Sequence, residues 1–212
     1  MRIVLALGLC LGLAALSAPA VAADAPAYKL FSDDAGPARR VLSVRVDQRL
    51  SDADLGRIAE TVKARAQGPA GGRTVVKFYL GHHHADEIAW ATATFAPDMK
   101  LVLNGLSLEE TELLSLEARQ DKRAQVGSWL MGPPAAAGRL TIYREKGRAF
   151  AEWRLRGGHR TVDELAEARW NGGSRFDVRG DDNQHYVVTR AGVLELRDKS
   201  KLIVTVERIE PT

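Results

Sequence analysis

The chain has 212 residues, 45% of them hydrophobic and 27% charged, a balance that excludes a disordered or fibrous protein. Its 30 Lys and Arg against 27 Asp and Glu leave a formal charge of only +3. The two signs are interleaved throughout, which argues against a nucleic-acid binder, since such proteins gather their basic residues on one face.

The first element in chain order is an export signal. Arg2 supplies a short positive start, residues 3–16 are uncharged and mostly Leu, Ala, Val and Gly, and small residues lead to Ala20-Val21-Ala22. This is the layout of a secretory signal, with cleavage expected after Ala22. A membrane anchor needs about 20 apolar residues, and Pro19 interrupts the run beside the cleavage site. The expected location is therefore periplasmic or secreted. Cys10 is the lone cysteine and lies inside the signal behind Leu9, so the mature protein has no disulfide and rests on its core. No later stretch is apolar enough to span a bilayer, so no transmembrane segment is expected after cleavage.

Residues 23–37 contain Pro26, Gly36, Pro37 and several Asp and read as a tether. Residues 38–122 then show the pattern β-α-β-β-β-α. Leu42, Val44 and Val46 alternate on a strand. Ser51 caps a helix carrying Leu55, Ile58, Ala59 and Val62. Residues 73–80, 87–96 and 101–103 follow as strands, and Ser107-Leu108-Glu109-Glu110 is a capping box opening a helix with Leu113, Leu114 and Leu116. From residue 125 to 210 the period shortens to strands separated by Gly-containing turns, with Leu140 and Ile142, Ala149, Ala151 and Trp153, Phe176 and Val178, Tyr186 and Val188, and Leu194 and Leu196 on alternating phases. That spacing predicts an antiparallel meander closing into a small barrel or sandwich. Residues 161–170 fit either a strand or a capped helix, with the flanking glycines favouring the strand. The expected fold class is α+β: an α/β module followed by an antiparallel β module.

Within residues 41–106, the cluster Trp90-Ala91-Thr92-Ala93, Phe95, Pro97, Asp98, Lys100 and Gly105 resembles an uncharacterised bacterial domain of unknown function found in exported proteins. That resemblance implies no activity. Gly127-Ser128-Trp129 resembles the Gly-x-Trp of lipocalin-type barrels, which implies a Trp at the base of a barrel beneath an Arg from a late strand. Arg208, on the apolar phase of the last strand, is the matching partner, so Trp129 and Arg208 are expected to be structural.

Chemistry-bearing residues are few. His82, His83 and His84 precede Asp86. In an extended segment His82 and His84 share a face, and with Asp86 they form the candidate set for a transition metal, although adjacent ligands converge poorly on one ion. No other cofactor is expected. There is no G-x-S-x-G elbow and no mature cysteine, and nothing pairs Ser128, His159 or His185 with catalytic partners. Trp170, beside Asn171-Gly172-Gly173, is the aromatic residue expected at the surface and the candidate ligand contact. The function expected is that of a non-enzymatic binding or interaction protein of the bacterial envelope, with an envelope protein or a small ligand as partner. A carrier of small apolar ligands in the C-terminal barrel and an envelope hydrolase are the alternatives.

Overall fold

A computed structural model describes residues 26–66, 72–81, 88–132, 137–180, 184–199, 201–206 and 208–209. No described helix is long and apolar enough to cross a membrane. The export signal lies outside the described residues.

The first sheet has the order β1-β2-β3-β4-β5. Strand β1 (Lys29–Ala35) pairs antiparallel with β2 (Arg39–Val46). Residues 29–35 are thus a sheet edge, correcting their assignment to a tether. Their polar composition suits an edge in water, and Asp33 is held across the hairpin by Arg40 at 2.5 Å. Helix α1 (Asp52–Arg65) connects β2 to the parallel strand β3 (Arg73–Leu80), the crossover that a parallel pair requires. Ser51 caps α1 by accepting the Asp54 amide at 3.2 Å. Its apolar face, Leu55, Ile58, Ala59 and Val62, is buried against Leu42, Val44, Val76, Phe78, Ala91 and Ala93. Strands β4 (Ala91–Phe95) and β5 (Met99–Leu103) complete the sheet.

The Trp90 cluster has a packing explanation. The Trp90 indole donates to the Leu106 carbonyl at 2.8 Å, and a Cβ on Gly105 would stand 2.7 Å from the indole ring. Gly105→Ala therefore overpacks a buried turn and is expected to destabilise by about 1–3 kcal/mol, measured as a lowered urea midpoint; an unchanged midpoint would show that the ring moves freely aside.

Helix α2 (Leu108–Gln120) begins with the expected capping box. Its leucines do not choose the packed face: Leu113 and Leu116 are 58% and 50% exposed. The helix docks through polar groups instead. Arg139 donates to the Leu114 carbonyl at 2.9 Å, and Arg154 and Arg156 reach Glu117 and Glu110 at 2.7 and 3.0 Å.

Those arginines belong to the second sheet or its turns. This sheet comprises β6 (Ala124–Met131), β7 (Gly138–Glu145), β8 (Arg148–Leu155), β9 (Arg160–Trp170), β10 (Gly173–Val178), β11 (Gln184–Val188), β12 (Leu194–Asp198) and β13 (Lys201–Val206). Each strand pairs with its sequence neighbour, and the whole is an antiparallel, curled half-barrel. Lys146-Gly147 and Asn171-Gly172 have positive φ at both residues, the backbone that two-residue hairpin turns need. Residues 160–170 are strand, because pairing on both sides with β8 and β10 outweighs the local capping signal at Thr161. Strands make up 55% of the described residues, which are mostly β with two helices rather than α+β. The sheet's first strand meets the segment that follows β13 at one antiparallel bridge, Trp129 with Arg208, beside the Ile209 amide donating to the Ser128 carbonyl at 2.7 Å.

Candidate functional site

Trp129 fills one end of the half-barrel. Its indole N–H donates at 2.9 Å to the Gly192 carbonyl in the β11–β12 turn. Arg208 donates to the Val126 carbonyl at 2.8 Å. A Cβ on Gly127 would lie 2.6 Å from the Trp129 ring and 3.1 Å from Arg208 Nε, so the Gly-x-Trp spacing reflects a close approach of three groups. Further in, Leu140, Ile142, Ala151, Leu165, Phe176 and Leu194 are buried together. Trp153 on β8 donates to the Tyr186 hydroxyl on β11 at 3.1 Å, joining strands three apart. Side chains occupy the inner face where a carrier would hold its ligand.

The outer face of β6–β8 is also covered, by α2 and the link to β6. At its centre stands Glu152, 2% exposed. Arg123 and Arg160 bond its carboxylate at 2.8 and 2.5 Å, and Arg154 and Arg139 lie at 3.7 and 3.8 Å. Asp121 and Glu117 balance the remaining cations, and the Arg123 guanidinium stacks 3.9 Å from the Tyr143 ring centre. Burial opposes ionisation of Glu152, but the hydrogen bonds and charges of Arg123 and Arg160 outweigh it and hold the carboxyl below its ordinary range.

Beside this cluster is an open cleft of about 250 Å³ that includes Arg119, Asp121, Arg123, Gln125, Ser128 and Arg208. Its polar groups largely satisfy one another. Ser128 bonds Gln125 and Thr141, and Gln125 bonds the Ala118 and Asp121 carbonyls. A second cleft of about 330 Å³ lies between β1 and the end of α1, beside Tyr28, Asp33, Arg40 and Arg65. Ser128 thus has two neutral partners and no imidazole. His159 is exposed in a turn, and His185 is buried on the opposite part of the sheet. These residues do not assemble into a nucleophile, base and acid.

Trp170 is placed differently. It ends β9, is 36% exposed and belongs to neither core cluster. The alternation of β9–β12 puts Phe176, Tyr186 and Leu196 inward, so Arg175, Asp177, His185, Glu195 and Arg197 point outward. The Arg175 guanidinium lies 5.2 Å from the centre of the Trp170 ring, and the His185 ring 6.4 Å away at a tilt of 56°. Arg175 is paired with Asp177 at 2.5 Å and Arg197 with Glu195 at 2.8 Å. Burial, reinforced by Arg175, holds the His185 imidazole below its ordinary range against the pull of Asp177. Sequence pattern singled out Trp170 but neither of these companions. The signal was the hairpin register: Arg175 faces Val187, and Asp177 faces His185.

The expected metal set, His82, His84 and Asp86, lies outside the described residues; no cluster of potential metal ligands occurs among the described residues. Compared with protein-family models, curated proteins and solved structures, the chain matches none. What fold and site define is a mostly-β protein with a filled half-barrel and a half-exposed Trp at its rim.

Proposed function

We propose that this chain is an exported, non-enzymatic binding protein of the bacterial envelope, and that its recognition surface is the outer rim around Trp170. The resemblance of residues 41–106 to a domain found in exported proteins fits this reading, as does the secretory pattern ending at Ala22. One observation carries it: the half-barrel fills its interior with its own side chains, yet leaves Trp170 half in water, braced by Arg175 and His185. A large aromatic ring held rigidly at a surface loses little entropy on contact and buries much area, which is why Trp dominates binding hot spots.

The test is co-sedimentation of the purified full chain with isolated envelope fractions. Trp170→Ala is expected to weaken retention by about 30-fold, the effect of removing a hot spot of about 2 kcal/mol, with little change in thermal midpoint because the ring is outside both cores. Undiminished retention of the variant would overturn the assignment of Trp170.

A further inference from the structure

We infer that the Trp170 rim takes a carboxylate-bearing polysaccharide, an inference that rests on the proposal that Trp170 is the contact residue. Arg175 lies against the ring, and its charge is already answered by Asp177 at 2.5 Å. At the tip of the next hairpin, Arg190 is exposed and has no carboxylate partner among the described residues. It lies alongside the Trp170-Asn171-Gly172-Gly173 turn, its guanidinium 3.5 Å from where a Cβ of Gly172 would stand. The carboxylates nearby are committed elsewhere: Asp177 to Arg175, Glu195 to Arg197, and Glu167 to Arg144 at 2.5 Å. The rim therefore offers one flat apolar surface beside uncompensated positive charge.

The ligand that matches has the same two parts in close proximity. A uronic acid unit has a C–H face that packs on an indole and a ring carboxylate that an arginine accepts through two parallel N–H donors. A single-stranded nucleic acid is served by successive aromatic platforms along a basic track, whereas this rim has one Trp in a chain of formal charge +3. An acidic peptide would be held by arginines alone and leaves the exposed ring unexplained.

The experiment is titration calorimetry of the full chain with short oligogalacturonates, their methyl esters, oligothymidylate and polyglutamate. The acid oligomer is expected to bind, and Arg190→Ala, Trp170→Ala and esterification are each expected to weaken it by about tenfold or more, the loss of one charge-assisted or stacking contact. Equal affinity for acid and ester, an unchanged Arg190→Ala variant, or no binding of the acid oligomer overturns the inference. If envelope retention still depends on Trp170 in those cases, the binding surface itself stands. Trp170→Ala without effect in either assay removes both. Preference for oligothymidylate or polyglutamate replaces the glycan by that polymer.

Discussion

Trp129→Ala is expected to destabilise the protein by about 3–5 kcal/mol, the cost of emptying a fully buried indole site. Two losses combine at this position. The side chain is among the largest that are fully buried. Its N–H satisfies the Gly192 carbonyl in the turn between β11 and β12, and that carbonyl would be stranded. The backbone bridge from this position to Arg208 survives the substitution. Urea unfolding followed by circular dichroism measures the total. Trp129→Phe separates the parts, because it keeps most of the volume and gives up the hydrogen bond, worth about 1 kcal/mol net. A change below about 1 kcal/mol for the Ala variant would mean that the end of the sheet collapses onto the space, contrary to the tight packing of Gly127, Trp129 and Arg208.

Glu152→Ala is expected to be as severe, about 3–5 kcal/mol, because it removes one side of a buried ion cluster and leaves the other uncompensated. Arg139 is buried with it, and Arg123 and Arg160 lose a shared acceptor. The same residue gives the protein an acid sensitivity whose sign is fixed. Glu152 in the folded state binds its proton less readily than in the unfolded chain. Its stabilisation is therefore complete above the ordinary glutamate value of about 4.3 and is lost as pH falls through its lower folded value. Asp121, lowered chiefly by its hydrogen bonds from Arg123, acts in the same direction. Urea midpoints measured from neutral pH down to about 3 should fall steeply in the wild type and less steeply from a lower start in Glu152→Ala. Parallel slopes would show that other carboxylates carry the acid response.

Glu152 also marks where sequence pattern loses its hold. On β8, Ala149, Ala151 and Trp153 were legible as the inward phase, and they are. By the same alternation Glu152 belonged to the polar, outward phase, and it does point outward. What no period of two reveals is that a helix covers that outward face. The same gap explains α2: three leucines suggested its buried side, while its contacts run through Glu110, Glu117 and the Leu114 carbonyl to arginines of a sheet that begins after it. Capping signals at Ser51 and Ser107, the turns at Lys146-Gly147 and Asn171-Gly172, and the antiparallel meander were legible because each is decided by residues close in sequence. Strand β1 was not, because an edge strand rich in Asp has no alternation to announce it, and its pairing depends on β2. For the site, Trp170 stood out by its place beside a turn. Arg175, His185 and Arg190 come to it only through hairpin register and the neighbouring tip.

The order of strands in the half-barrel bears on how the chain assembles. Every ladder from β6 to β13 joins consecutive strands, so each strand has its template in place as soon as the one before it is laid down, and the closure entropy of each step is that of a short turn. The Trp129–Arg208 bridge and the Arg208 and Ile209 hydrogen bonds beside it span the whole sheet. A chain delivered from its N-terminal end could thus zip the sheet progressively, each ladder forming between neighbouring strands, and postpone the contacts that join its two ends until the last residues arrive. Trp129, made first, would wait with its ring unsealed for Gly192 and Arg208, which makes burial of that one indole a natural reporter of completed folding.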